Sequence, residues 1–248
     1  MSPIGTSPIG VNPIGVSPTN GYAAQPLSLP VSPSFTAVVP VKPLGLAKSR
    51  LALPRDTRRE LVLAFAVDTL VALTRCAEVA IVIVVTADAD IAQAAARLGV
   101  RVVPDPDTPS LDDAIAVGAQ AAIQARPEAG VLVVPADLPC LRPADVTEVL
   151  SQSQGSPTAF VPDRVGTGTT MVICQAGESV VTRYGGESAA RHTELGLRAL
   201  RAAPVRARHD VDTLDDLRHA TTLGLGASTA ALVGDLARLT PRRPLPTR

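Results

Sequence analysis

Two lysines, three aspartates and two glycine-rich polar stretches are the residues of this chain whose types and spacing could do chemistry. Lys42 and Lys48 are the only lysines against 21 arginines, and both fall in one segment, VVPVKPLGLAKSRL. Where arginine supplies the ordinary positive charge, a lysine pair reads as mobile point charges for phosphate. Arg50 adds a third cation two residues on. Asp137 lies in VLVVPADLP, between Pro135 and Pro139 and directly after an apolar run. A carboxylate just past a strand's C-terminal end points into the crevice where α/β folds bind ligands, and a hard oxygen there suits Mg²⁺. Asp210 and Asp212 alternate about Val211 in HDVDTLDDL. In an extended segment their carboxylates share one side and repel unless a cation lies between them. Asp212 has a second reading as the cap of the following helix, whose dipole Asp215 and Asp216 would favour. DRVGTGTTM (163–171) and RYGGESAARH (183–192) describe a second anion site. Gly166 and Gly168 admit a ligand close to the backbone, Thr169 and Thr170 bring hydroxyls beside them, and Gly185 and Gly186 precede Ser188 at a helix start.

These residues need a frame to hold them, and the apolar pattern supplies one. Strands are expected at Phe35–Val41, Val79–Thr86, Val100–Val103, Gly130–Val134, Thr158–Val161, Thr169–Cys174 and Val205–Ala207. Helical periodicity covers Thr57–Thr74, Ile91–Leu98 behind Asp88 as cap, Leu111–Gln124 behind Ser110, and Pro143 to about Ser151. Glu187–Leu200 and Leu214–Ala220 complete the helices of the expected domain. Such alternation argues for a three-layer α/β/α sandwich with a mostly parallel, mixed sheet. It puts both lysines on a loop at the carboxyl end of the first strand, the usual place for nucleotide phosphates.

Composition narrows the classes. The 248 residues suffice for one generous α/β domain, read here as 35–223, with tails on either side. Residues 1–34 open with SPIG repeats whose prolines block helix and ladder, a tail expected to be disordered. Residues 224–248 carry a short helical pattern at Ala227–Leu239 and end in PRRPLPTR, an extension expected to be loose. Charge is balanced at 23 against 23, which provides no field for nucleic acid or an anionic membrane. Three Phe, two Tyr and no Trp leave no stacking platform and no membrane belt. No apolar run is long enough to span a bilayer, and no signal peptide is expected. Cys76, Cys140 and Cys174 are odd in number and widely spaced, so they read as apolar fillers in a reducing cytoplasm. His209 and His219 lack the partners of a zinc site.

In their order, PVKPLGLAKSRLA, VVPADLP, GTGTT, YGGES and HDVDT resemble the guanylyltransferases of coenzyme F420 biosynthesis, over roughly Phe35 to Leu223. The resemblance implies a Rossmann-like nucleotidyltransferase fold and an enzyme that joins GTP to a phosphorylated three-carbon acid, releasing pyrophosphate. Its archaeal branch uses 2-phospho-L-lactate and its actinobacterial branch phosphoenolpyruvate. The Arg-rich, Lys-poor composition resembles a high-GC actinobacterial protein and so favours phosphoenolpyruvate, with 3-phosphoglycerate also open. The resemblance further implies an acid subsite at Thr170, Gly185 and Ser188, and Mg²⁺ on Asp137, Asp210 and Asp212. Lys42, Lys48 and Arg50 would cradle the triphosphate. A downstream transferase that accepts the product is an implied partner. Two stretches depart from the family pattern: Leu111-Asp112-Asp113-Ala114 stands where LNxA is common, and MVICQAGES replaces a proline-rich turn. Molybdopterin and sugar-phosphate nucleotidyltransferases open on a glycine-rich loop, whereas Val39–Arg50 has only Gly45. A different class stays open too: a silent nucleotide-binding module with the SPIG tail as its interaction element.

Overall fold

The computed structural model describes residues 34–44, 48–106 and 110–239, so the SPIG repeats and the PRRPLPTR end lie outside the described residues. Parallel strands β1 (Phe35–Pro40), β2 (Val79–Thr86), β3 (Arg101–Pro104) and β4 (Gly130–Val133) form one half of a sheet. Strand β6 (Thr169–Cys174) runs antiparallel to both β4 and β5 (Thr158–Pro162), and β7 (Arg198–Ala199) extends β5 in parallel. The order is β3-β2-β1-β4-β6-β5-β7.

Helices cover both faces because the strands are apolar on both. Successive strand residues face opposite sides. Ala37, Val39, Val84 and Leu132 therefore pack with α1 (Arg55–Thr74), α2 (Ala89–Arg97) and α4 (Pro143–Ser153). Val38, Ile83, Val133 and Val172 pack with α3 (Leu111–Ala125) and α5 (Ser188–Glu194). This is the three-layer sandwich expected from the alternation. The caps are also where the sequence puts them. Asp88 accepts from the N–H groups of Asp90 and Ile91 at the start of α2, and Ser110 from that of Asp113 in α3.

Three expectations need correction. The helix expected over Glu187–Leu200 ends at Glu194, because Gly196 takes a left-handed conformation (φ +85°) that closes it. Gly196 N–H donates to Thr193 O and Leu197 N–H to His192 O, which frees Arg198 and Ala199 to pair as β7. The strand expected at Val205–Ala207 is a 3-10 turn, Val205–Arg208, entered from Pro204. The extension expected to be loose forms the helix its pattern suggested, α7 (Ala227–Leu239), but holds it docked on α1, while PRRPLPTR lies outside the described residues. Buried Asp68 of α1 caps it, accepting from Ser228 N–H at 3.0 Å and Thr229 N–H at 2.8 Å. Leu232 and Val233 join a third core with Leu61 and Phe65 of α1 and Leu217 of α6 (Leu214–Leu223).

Candidate active site

Strand β1 lies between β2 and β4, so the chain reverses its direction of travel across the sheet there, and a crevice opens beyond the carboxyl ends of these strands. A cleft of about 680 Å³ occupies it. Lys42, Lys48, Arg50, Asp137, Gly185, Ser188, Asp210 and Asp212 all line it.

One wall is charged. Val134 N–H donates to Val38 O, carrying the β1–β4 ladder to the edge of the loop that presents Asp137. The carbonyl of Asp137 then accepts from Val211 N–H at 3.1 Å. Val211 is fully buried in the third core, so its two neighbours, Asp210 and Asp212, are left on the cleft side. One backbone hydrogen bond and one buried valine thus gather three carboxylates that each place one oxygen within 4.8 Å of the others'. Thr213, not Asp212, caps α6, in a reciprocal box with Asp216. Lys48 reaches into this cluster: its Nζ is 2.5 Å from Asp137 Oδ2 and also donates to Asp212 Oδ1. Burial disfavours the ammonium, yet Asp137 and Asp212 outweigh it and hold the Lys48 pKa above the ordinary lysine value. Asp210 is pushed up to about 7 by burial and by Asp137, with Lys48 opposing and Asp212 adding to the rise. Three crowded carboxylates with only one ammonium among them have the hard-oxygen donor set that fits a divalent cation.

The lysine loop is fastened at both ends. Leu44 N–H donates to Asp88 Oδ2 at 3.1 Å, and Leu51 is fully buried in the third core. Lys48 between them has left-handed backbone (φ 55°), as does Glu187 (φ 56°) on the opposite wall. Non-glycine residues held there cost of order 1–3 kcal/mol and cluster where a site dictates the geometry. Lys42 lines the cleft with its Nζ 3.0 Å from Asp105 Oδ2. Arg50 is exposed on the 3-10 turn Ser49–Leu51.

The other wall is mostly uncharged. Here Thr169, not Thr170, lines the cleft. In the β5–β6 pairing Val161 faces Met171 and Pro162 faces Thr169, so Thr170 is the extra residue of a bulge. A bulge breaks the strict alternation of faces. Thr170 turns to donate to Ala207 O at 2.6 Å, while Thr169 Oγ1 sits 2.9 Å from His192 Nδ1. Gly185 (φ +101°) and buried Ser188 line the same wall. Asp112 anchors this segment, its Oδ1 accepting from Thr182 Oγ1 at 2.7 Å and Tyr184 N–H at 3.0 Å. Both partners are donors, so an aspartate in the LDDA motif serves as a loop anchor here. Asp163 shapes the other loop, accepting from Gly166 N–H at 2.5 Å and Thr167 N–H at 3.0 Å. Asp112, Asp163 and His192 are the residues that sequence reading missed in these roles, and Thr169 was placed beside the glycines without being set apart from Thr170. The only signal was their position inside or beside the glycine-rich stretches and the LDDA motif.

A family model described as "Guanylyl transferase CofC like" matches residues 35–232. The chain is 45% identical over 205 residues to a phosphoenolpyruvate guanylyltransferase of Streptomyces coelicolor, covering 82% of this chain and 97% of that one. It is 44% identical over 210 residues to the protein of the same name from Thermomonospora curvata, covering 84% and 92%. Among solved structures it is similar to 4-diphosphocytidyl-2C-methyl-D-erythritol synthase, with TM-score 0.54 and 15% identity over 77% of this chain and 99% of that one.

Proposed function

The chain belongs to the CofC-like guanylyl transferase family, and we propose that it joins the GMP moiety of GTP to phosphoenolpyruvate. Pyrophosphate would leave, and the product would be enolpyruvoyl-2-diphospho-5'-guanosine. The observation that carries this reading is one cleft with two unlike walls. Asp137, Asp210, Asp212 and Lys48 converge on one side, and Thr169, Gly185 and Ser188 face the other. The name shared by the curated relatives supports the choice of acid.

The acid's phosphate oxygen is already an anion at neutral pH, so no residue has to deprotonate it. It attacks the α-phosphorus of GTP. The bond from that phosphorus to the bridging oxygen of the β-phosphate breaks, and pyrophosphate takes the electron pair. The protein's task is to hold two mutually repelling anions in line. Lys48, Lys42 and Arg50 would meet the triphosphate as it enters. Thr169, Ser188 and the backbone at Gly185 would hold the acid. Asp137, Asp210 and Asp212 would hold Mg²⁺, which when bound neutralises phosphate charge and supplies Lewis acidity. A product that is a phosphoanhydride calls for a downstream transferase to accept it. Three free, buried cysteines fit a reducing cytoplasm, and among the described residues no helix is long and apolar enough to cross a membrane.

The test is pyrophosphate release by the purified chain with Mg²⁺ and GTP, adding phosphoenolpyruvate, 2-phospho-L-lactate or 3-phosphoglycerate separately, with ATP and CTP alongside. Release that needs both GTP and phosphoenolpyruvate is the expected result. Nucleotide binding with no release under any acid would replace the enzyme with a silent nucleotide-binding module.

A further inference from the structure

His192 of α5 is fully buried, and the reaction above assigns it no part. Both ring nitrogens are nevertheless engaged. The backbone N–H of Arg183 lies 3.0 Å from Nε2, and Thr169 Oγ1 lies 2.9 Å from Nδ1. A backbone N–H can only donate, so Nε2 is the acceptor and carries no proton. A neutral ring then holds its proton on Nδ1 and donates it to Thr169. Burial favours this neutral form, holding the His192 pKa below the usual value despite the pull of Asp112 and a hydrogen bond with the Ser188 backbone. The ring has little freedom to turn: Tyr184 meets it edge-on at 5.3 Å and Phe160 lies 5.6 Å away.

The consequence falls on Thr169. Its hydroxyl oxygen is taken as an acceptor by His192, and among the described residues it has no second hydrogen-bond partner. Its single O–H is left to donate, and Thr169 lines the cleft. We infer that His192 is a positioning residue for the acid substrate: it commits the Thr169 hydroxyl to donating into the cleft, towards an anionic oxygen of the phosphorylated acid. Through Arg183 it also ties the segment that carries Gly185 to β6, so the two sides of the acid subsite share one imidazole. This rests on the guanylyltransferase reading for the identity of the ligand, but the tautomer follows from the fold alone.

Two measurements test it with the full chain. The first is the imidazole ¹⁵N spectrum of the wild type, in which long-range ¹H–¹⁵N correlations distinguish an Nδ1–H ring from an Nε2–H ring. An Nδ1–H signature for His192 is expected, and an Nε2–H signature overturns the inference. The second is a kinetic cycle of Thr169→Val, His192→Gln and the double variant, with His192→Asn as rescue. Glutamine can reach the Nε2 position and still accept from Arg183, but it loses the donor to Thr169. Asparagine keeps a donor near Nδ1. His192→Gln should raise the KM for the acid about tenfold, the scale of one lost hydrogen bond, with kcat and the KM for GTP little changed. His192→Asn should recover most of that loss. The double variant should be no worse than Thr169→Val alone, since the histidine acts through the threonine. Additive losses, or equal rises in both KM values, would reduce His192 to core packing. If no acid supports release by the wild type, the proposed function fails by itself. The spectrum then still decides whether His192 sets a donor for whatever anion fills the cleft.

Discussion

The two walls of the cleft are built on opposite electrostatic plans. The charged wall hangs on the loops after the parallel strands β1 and β4 and on the segment that leads into α6, and most of its groups pair: Lys48 bridges Asp137 and Asp212, and Lys42 meets Asp105. The hydroxyl wall stands on antiparallel β6 and the segment before α5; Asp112 and Asp163 accept from backbone N–H groups and a hydroxyl behind it, and one imidazole fixes the Thr169 hydroxyl that it presents. A wall of mutually paired charges has to redistribute them when a charged ligand arrives, because each group's field is already partly neutralised by its neighbour. A wall of committed dipoles is ready beforehand. On the function proposed above, the charged wall would serve transition-state stabilisation and the hydroxyl wall substrate choice, so mutations on the two should part into kcat and KM effects.

The largest effect should come from the charged wall. Asp137 supports the cluster twice, through its carboxylate and through the carbonyl that holds Val211. Asp137→Asn keeps the backbone contact and the shape, yet it should lower kcat by more than about 10³-fold, beyond the ~10²–10³ of one lost transition-state donor. Stopped turnover with an unchanged melting curve is the expected pair of readings. Lys48→Met should come next, with kcat down about 10²-fold. Because its ammonium neutralises two of the candidate metal carboxylates, the same change should tighten Mn²⁺ binding in the absence of nucleotide by roughly tenfold, about 1.4 kcal/mol. Arg50→Met removes a cation that forms no ion pair with the three among the described residues, and should leave that affinity nearly unchanged. Equal Mn²⁺ titrations for the wild type and Lys48→Met, read by electron paramagnetic resonance, would mean that lysine and metal do not compete and that the charged wall is less self-contained than it looks.

Legibility divides along the same line. Asp210 and Asp212 were readable because alternation about a buried valine is a local rule, and so were the caps Asp88 and Ser110. The partner of Lys48 was not, since Asp137 lies 89 residues away and only the strand order brings it near. Asp68 sat in plain view within the apolar face of α1, but what it caps begins 160 residues later. Without that contact helix α7 reads as a loose tail. Gly196 was a legible stop that helical periodicity on either side obscured. Asp68→Ala should therefore destabilise the fold by about 1–3 kcal/mol, by leaving the α7 cap unsatisfied, while turnover per folded molecule stays the same.

The bulge at Thr170 is the case that no local rule could have settled, and it gives the sharpest contrast between the walls. Thr169 and Thr170 are identical in sequence terms, yet the register shift aims one hydroxyl at the cleft and the other at Ala207 O. Thr169→Val removes a donor to an anion and should raise the KM for the acid roughly 10- to 100-fold, the worth of one charge-assisted hydrogen bond, with little change in kcat. Thr170→Val removes a buried contact from the far side of the strand. It should cost about 1–3 kcal/mol of stability, visible as a lower Tm, and leave both KM values within about twofold. The two variants differ by one position and by no chemistry, so any difference between them reports the bulge. If Thr170→Val raised the KM for the acid and Thr169→Val did not, the face assignment of β6 would be reversed. The hydroxyl wall would then have to be rebuilt from the other side of the strand, and His192 would lose the residue through which it acts.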